Sequence, residues 1–128
     1  MKEPYWLTRE ECLALHDMLL SQYGGLAGVR DENMMESALA RPQQLVAYGR
    51  PTMTQLAAAY VAGIVKNHPF LDGNKRTGFM LGAGFLERNG FEFSATEAEA
   101  ALRTLALAAG EMTETAYADW LKANSQRA

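Results

Sequence analysis

The sequence predicts an all-α protein, a compact bundle of about six helices in one domain spanning residues 1–128. Three observations predict it. Hydroxyl-plus-carboxylate pairs at helix-start spacing recur along the chain. Apolar residues follow a helical period through most of its length. No set of alternating segments is large enough to build a sheet. A chain of 128 residues, 48% hydrophobic and 21% charged, can bury a core without disulfides or metals and has the composition of a folded domain.

Taken in order, Thr8-Arg9-Glu10-Glu11 forms a capping box that opens the first helix. That helix runs to about Tyr23 and stops at Gly24-Gly25. Asp31 caps a second helix through Met34, Met35, Ala38 and Leu39. Pro42 is expected to stop it, because proline disfavours helical geometry in the residue before itself. The stretch from Gln43 to Met53, with Gly49 and Pro51, reads as a loop or small hairpin. Thr52 or Thr54 caps a third helix reaching about Asn67. It is apolar almost all round, the mark of a buried central helix. A fourth helix begins near Asn74 and ends at Asn89-Gly90. Gly78 and Gly82, one turn apart, allow another helix to come close to its backbone. Phe91-Glu92-Phe93 alternates and reads as a short extended piece. Thr96-Glu97-Ala98-Glu99 is a second capping box, for a helix ending near Gly110. The last helix runs from about Thr113 to Ala123.

Composition excludes some classes. The net charge is −3, whereas a general nucleic-acid binder is basic. The one cysteine, Cys12, has no internal disulfide partner and sits in the register of a small core residue. The N-terminal stretch has no long apolar core. The longest apolar run, Leu56 to Val65, is far short of the ~20 residues of a membrane span. The expectation is a soluble, cytoplasmic protein.

The chemistry concentrates between helices three and four, from His68 to Arg76. A helix start offers free amide hydrogens and the positive end of the helix dipole, which suits phosphate. Gly73 lets the backbone approach a ligand. Arg76 has a planar fork for phosphate oxygens, and Lys75 adds a point charge. Asp72 would repel phosphate unless it holds a metal, and Mg²⁺ commonly takes one carboxylate plus substrate phosphates. His68 opens the loop, and histidine is the side chain best suited to act as a general base at neutral pH. Together these are the parts that phosphoryl or nucleotidyl transfer requires. Taken singly, each has an ordinary structural role as cap, loop residue or surface charge.

The string His68-Pro69-Phe70-Leu71-Asp72-Gly73-Asn74-Lys75-Arg76-Thr77 resembles the Fic family motif H-P-F-x-[D/E]-G-N-G-R-x-x-R. It is most similar to the Doc (death on curing) branch, whose motif ends N-K-R-T. Leu15-His16-Asp17, Tyr23 to Gly28, Glu36 to Pro42 and Phe85 to Gly90 extend the resemblance over nearly the whole chain. It implies the Fic/Doc fold, with the motif loop between two central helices. It also implies a role for each residue: His68 as base, Asp72 as Mg²⁺ ligand, Gly73 and Asn74 in an anion nest, Arg76 on a nucleotide phosphate and Phe70 as anchor. The implied cofactors are ATP and Mg²⁺.

Two departures from the Fic pattern carry meaning. Lys75 stands where adenylylating members have glycine and crowds the phosphate nest. Phe79 stands where the second motif arginine belongs. In Doc proteins the same lysine accompanies transfer of the γ-phosphate of ATP to a threonine of elongation factor Tu, which halts translation. Gly73, an alanine in Doc, is Fic-like and keeps AMP transfer as the alternative. A non-catalytic, antitoxin-binding co-repressor is a third reading, against which the intact His68, Asp72, Asn74 and Arg76 argue. No [S/T]-x-x-x-E-[G/N] inhibitory helix is present, since Glu32-Asn33 lies four residues after Gly28. The resemblance therefore implies a type II toxin–antitoxin module and a Phd-like antitoxin whose disordered tail folds onto the toxin, with no membrane partner and nucleic acid reached only through the antitoxin. Tyr48 and Arg50 are candidate target-docking residues, because the family has a docking flap there. His16 with Asp17 reads as a structural pair or part of the partner groove. Arg30–Asp31 and Glu36–Arg41 read as ion pairs, and Trp6 and Trp120 as packing residues.

Overall fold

A computed structural model describes residues 3–128; Met1 and Lys2, which open the N-terminal stretch read above, lie outside it. Six helices and two short strands follow in the order α1 (Arg9–Tyr23), α2 (Glu32–Tyr48), α3 (Met53–Asn67), α4 (Asn74–Arg88), β1 (Phe91–Phe93), α5 (Glu97–Ala108), α6 (Glu114–Ala123) and β2 (Ser125–Arg127). The all-α expectation holds.

The core is organised around α3. Every residue from Leu56 to Val65 is buried, and α2, α4, α5 and α6 all pack on it. Tyr60, Val61, Ile64 and Val65 are weak helix formers, each costing up to about 0.7 kcal/mol relative to alanine. Full burial of each contributes about 1.5–3 kcal/mol, so tertiary packing decides the conformation. The Thr52–Gln55 capping box starts the helix, with Thr52 Oγ1 accepting from Gln55 N at 3.2 Å and Gln55 Oε1 accepting from Thr52 N at 2.8 Å.

Missing side chains set the helix spacings. At Gly78 a Cβ would come within 2.8 Å of Val65 Cγ1 and 3.3 Å of Val61 O; at Gly82 it would overlap Val61 and approach Ala57 O at 3.0 Å. These glycines let α4 lie against α3, as the sequence suggests. Across the other face, a Cβ on Gly63 would meet Ala38 Cβ at 2.9 Å, so α2 also approaches closely.

Helix α2 corrects the sequence reading. It does not stop at Pro42 but continues through it to Tyr48, and the expected loop or hairpin over Gln43–Met53 shrinks to the connection Gly49–Thr52. An interior proline costs about 3 kcal/mol. Met35, Ala38, Leu39 and Pro42 are buried on one stripe, and Leu45 and Val46 pack against the core beyond them. Stopping at Pro42 would strand those last two, so burial of the stripe outweighs the local preference.

The Phe91–Phe93 segment is extended as expected, but it pairs antiparallel with β2, a strand the sequence reading missed at the C-terminus. Thr96 caps α5 by accepting from Glu99 N at 3.1 Å. The reciprocal half of that box is absent, because Glu99 Oε1 accepts from Trp120 Nε1 at 2.9 Å instead. The proposed ion pairs also differ. Arg9 pairs with Glu32 and Glu36, and Arg41 with Glu114 at 2.5 Å. Arg88 pairs with Glu11 and holds its carboxyl down at about 2. Trp6 stacks on Phe85, and Trp120 packs on Phe93 and Tyr117, as packing residues do. Cys12 is fully buried, and burial pushes its thiol up to about 11. It therefore stays protonated at neutral pH. No helix among the described residues is long and apolar enough to cross a membrane.

The glycine contacts yield a paired prediction. Gly82→Ala gains about 1 kcal/mol of helix propensity, yet its Cβ overlaps α3. A net loss of about 1–3 kcal/mol is expected from overpacking. Gly84→Ala on the open face of the same helix, where a Cβ meets nothing within 4 Å, should instead stabilise by about 0.5–1 kcal/mol. Urea denaturation of both variants checks the pair.

Candidate active site

The loop from His68 to Gly73 joins the two central helices. His68 ends α3 in the left-handed region (φ 48°, ψ 57°), the one non-glycine residue with positive φ among those described. Such a conformation persists only where neighbours enforce it. Its N–H donates to Ile64 O at 3.1 Å. Its carbonyl accepts from Arg30 Nε at 2.6 Å, and Arg30 Nη2 donates to Asn67 O at 2.8 Å. Arg30 thus closes the C-terminus of α3, where free carbonyls and the negative dipole end favour a cation. It does not pair with Asp31, which accepts from Met34 N and caps α2. The His68 side chain is exposed.

Beyond His68 the loop divides into a buried side and an exposed side. Pro69, Phe70 and Asn74 are buried; Leu71, Asp72, Lys75 and Arg76 are exposed. Asn74 Oδ1 accepts from Phe70 N, and Asn74 Nδ2 donates to Phe70 O, both at 3.0 Å. One amide side chain thereby pairs both main-chain groups of a buried loop residue. The segment before α2 lies alongside. Arg30 N and Asp31 N donate to Pro69 O, and Leu71 N donates to Gly28 O at 3.1 Å.

His16, 2% exposed on α1, supports the loop from beneath. Its ring stacks on Phe70 with centroids 3.8 Å apart and planes 9° apart. Its Nε2 lies 2.8 Å from the Asp72 carbonyl oxygen. A carbonyl only accepts, so Nε2 carries the proton. This replaces the expected pairing with Asp17, which is exposed.

The Asp72 carboxylate is held by main-chain donors. Oδ1 accepts from Gly73 N at 2.9 Å and Oδ2 from Leu26 N at 3.2 Å. Gly25 sits so close, at φ 121°, that a Cβ there would stand 2.8 Å from Oδ2. Gly73 takes φ 78°, ψ 18° as the N-cap of α4, and no side chain caps that helix. The first turn of α4 therefore offers amide hydrogens to a ligand. Beside it, Arg76 Cζ lies 4.0 Å from the centroid of the Tyr23 ring, a cation–π contact that restrains the guanidinium. Beneath the same turn, Thr77 Oγ1 is the one buried side-chain polar atom without a partner among the described residues.

No group of three or more His, Cys, Asp and Glu able to hold a metal occurs among the described residues. One oriented carboxylate beside an uncapped helix start suits an ion whose other ligands are phosphates and water.

Residues 6–86 match the profile of the Fic/DOC family. The chain belongs to the Fic/Doc family. It is 37% identical over 117 residues to the "Protein kinase doc" of Escherichia phage P1, covering 91% of this chain and 92% of that protein. It is also 37% identical over 93 residues to the "Toxin Doc" of Mycolicibacterium smegmatis (strain ATCC 700084 / mc(2)155), covering 70% of this chain and 68% of that protein. The Fic/Doc motif read from the sequence thus occupies the loop described above. His68, Asp72, Gly73, Lys75 and Arg76 gather on or beside its exposed side, and Asn74 braces it from within.

Tyr48 and Arg50 stand apart. Both are exposed and line a cleft of about 400 Å³ with Leu45, Gln55 and Glu114. No motif-loop residue lines that cleft. Sequence reasoning missed Arg30, Gly25 and Tyr23 as supports of the Fic/Doc loop, and it read Gly24-Gly25 only as a helix stop. Arg30 carries no local signal, because its partners are carbonyls almost forty residues away.

The Asn74 clamp is directly testable. Asn74→Ala leaves two buried main-chain groups of Phe70 unpaired, and a loss of about 2–4 kcal/mol is expected. Asn74→Asp keeps the acceptor for Phe70 N but turns a carboxylate oxygen toward Phe70 O in place of the donor, so it should not rescue the loss. Thermal and urea unfolding of the two variants measures the loss in each.

Proposed function

We propose that this chain is the toxin of a type II toxin–antitoxin module and a Doc-type protein kinase, transferring the γ-phosphate of ATP to a threonine of elongation factor Tu in the cytoplasm. The observation that carries the reading is the first turn of α4. It has no side-chain cap, and an exposed lysine, Lys75, stands at its second position. A lysine there occupies space that a glycine would leave to nucleotide phosphates, which disfavours the orientation needed for AMP transfer. Phe79 supports the same conclusion: its ring packs on Phe93 at 5.9 Å, so its position serves the core rather than a phosphate. The phage P1 relative, named a protein kinase, agrees.

In this reading His68 takes the proton from the target hydroxyl as that oxygen bonds to the γ-phosphorus, while the bond from the γ-phosphorus to the β-phosphate oxygen breaks and ADP leaves with its electron pair. Mg²⁺, when bound, would neutralise charge on the phosphates. Asp72 holds the ion, and Gly73 presents the amides of Asn74 and Lys75 to phosphate oxygens. Arg76, steadied by Tyr23, grips a phosphate and neutralises developing charge. A Phd-like antitoxin is the proposed partner that restrains this activity.

AMP transfer is the second reading. Gly73 favours it, since glycine stands at this position in the Fic motif and here takes φ 78° with no side chain in the nest. Incubation with Mg²⁺, elongation factor Tu and ATP labelled at the γ- or α-phosphate separates the two. Label from γ alone is expected; label from α would replace the kinase reading. Transfer of neither label, from a folded sample free of antitoxin, would remove both.

Two variants sharpen the assignment. His68→Ala should lower transfer at least ~10²-fold, with unfolding shifted by no more than about 1 kcal/mol because an exposed side chain is lost. Lys75→Gly should reduce γ-transfer about tenfold or more and raise α-transfer above background, a change near 1.4 kcal/mol in barrier. Both are read in the same label assay.

A further inference from the structure

At the far end of α4 the small sheet has an unfilled edge. In the β1–β2 ladder, Glu92 pairs with Gln126, Ser94 N donates to Asn124 O, and Ala128 N donates to Gly90 O. Gly90, Glu92 and Ser94 therefore direct their main-chain groups toward β2. Alternation then points the N–H and C=O of Phe91 and Phe93 away from it. Among the described residues these groups have no main-chain or side-chain partner. A row of unpaired strand groups is a template for another strand.

Along β1 runs a cleft of about 480 Å³. Phe79, Ala83 and Glu87 of α4 line one wall, and the chain from Phe91 to Glu97 with Ala100 lines the rest. Three carboxylates, Glu87, Glu92 and Glu97, border it, and no lysine or arginine does. None of the three is in an ion pair among the described residues, while neighbouring Arg88 and Arg103 are taken by Glu11 and Glu99. The nearest described cation from β2, Arg127, lies over the Phe91 ring at 5.2 Å.

We propose that the β1 edge and this cleft bind an extended basic peptide segment of a partner protein by strand addition. The open backbone groups set an extended conformation. Phe79, Ala83 and Ala100 suit apolar side chains at alternate positions, and the carboxylates suit lysine or arginine between them. A second copy of this chain is a poor occupant, because pairing two β1 edges sets Glu92 against its own counterpart, and like charges directly opposite destabilise a strand pair. An anion at the α5 N-terminus is disfavoured by Glu97 itself. The site lies one helix length, roughly 20 Å, from the motif loop, so it is separate from the proposed kinase chemistry and does not depend on it.

The test uses the full chain, ¹⁵N-labelled, titrated with an end-blocked heptapeptide of alternating lysine and valine. The glutamate–valine counterpart and a proline-interrupted lysine peptide serve as controls. Expected are saturable shifts over residues 91–97 below about 1 mM, with slowed hydrogen exchange at the Phe91 and Phe93 amides. The two controls should produce neither effect. The doubly reversed variant Glu92→Lys, Glu97→Lys, with both sites exposed and folding checked by its melting curve, should bind at least about tenfold more weakly. Absence of shifts at residues 91–97 would overturn the proposal. Equal binding by the proline-interrupted peptide, or shifts without protection of the two amides, would show charge attraction alone and overturn it as well.

Discussion

The close approach of α3 and α4 is the constraint on which the rest depends. Gly78 and Gly82 remove side chains from the face of α4 that meets Val61, Ile64 and Val65. The two helices therefore lie nearer than ordinary side chains permit, and the six residues between them must turn within a short span. That demand accounts for the left-handed backbone at both ends of the turn, at His68 and at Gly73. At Gly73 no Cβ opposes it. At His68 the opposing strain is held by Arg30 and by the hydrogen bond to Ile64.

The loop then separates its duties by side. Pro69, Phe70 and Asn74 face inward and are satisfied by packing and by hydrogen bonds to protein. His68, Asp72, Lys75 and Arg76 face outward on a backbone those inward contacts make rigid. Support comes from distant parts of the chain: His16 on α1 beneath the Asp72 carbonyl, Arg30 and Gly28 from the segment before α2, and Tyr23 beside Arg76. A constellation on a loop is only as well positioned as the groups that hold it. Here these groups come from α1 and from the α1–α2 connection, which lie within the residues that match the family.

Several features were legible before any coordinates. Thr8, Asp31 and Thr96 each cap the helix expected of them, and of the two candidates Thr52 and Thr54 it is Thr52 that caps α3, because capping is a contact between residues two or three apart. The burial of α3 followed from its unbroken apolar run, and the approach at Gly78 and Gly82 from their spacing. The misreadings share a cause. Pro42 signals a helix end locally, but the stripe from Met35 to Val46 is buried against α3 and carries the helix through. Arg30 and Asp31 are adjacent in sequence yet serve two different helix termini. Glu36 and Arg41 find partners on α1 and α6, and β2 is a strand by virtue of its pairing with β1, a segment distant in sequence.

By itself the sequence determined the helical class, most helix boundaries and the motif that carries the candidate chemistry. Each depends on local propensity, on capping geometry or on a contiguous string of residues. Tertiary structure alone decided which face of the motif loop is exposed, which residues brace it, the course of α2 past Pro42 and the open edge of β1. Those outcomes depend on contacts between residues distant in sequence, where the free energy of burial and of satisfying buried polar groups exceeds any local preference.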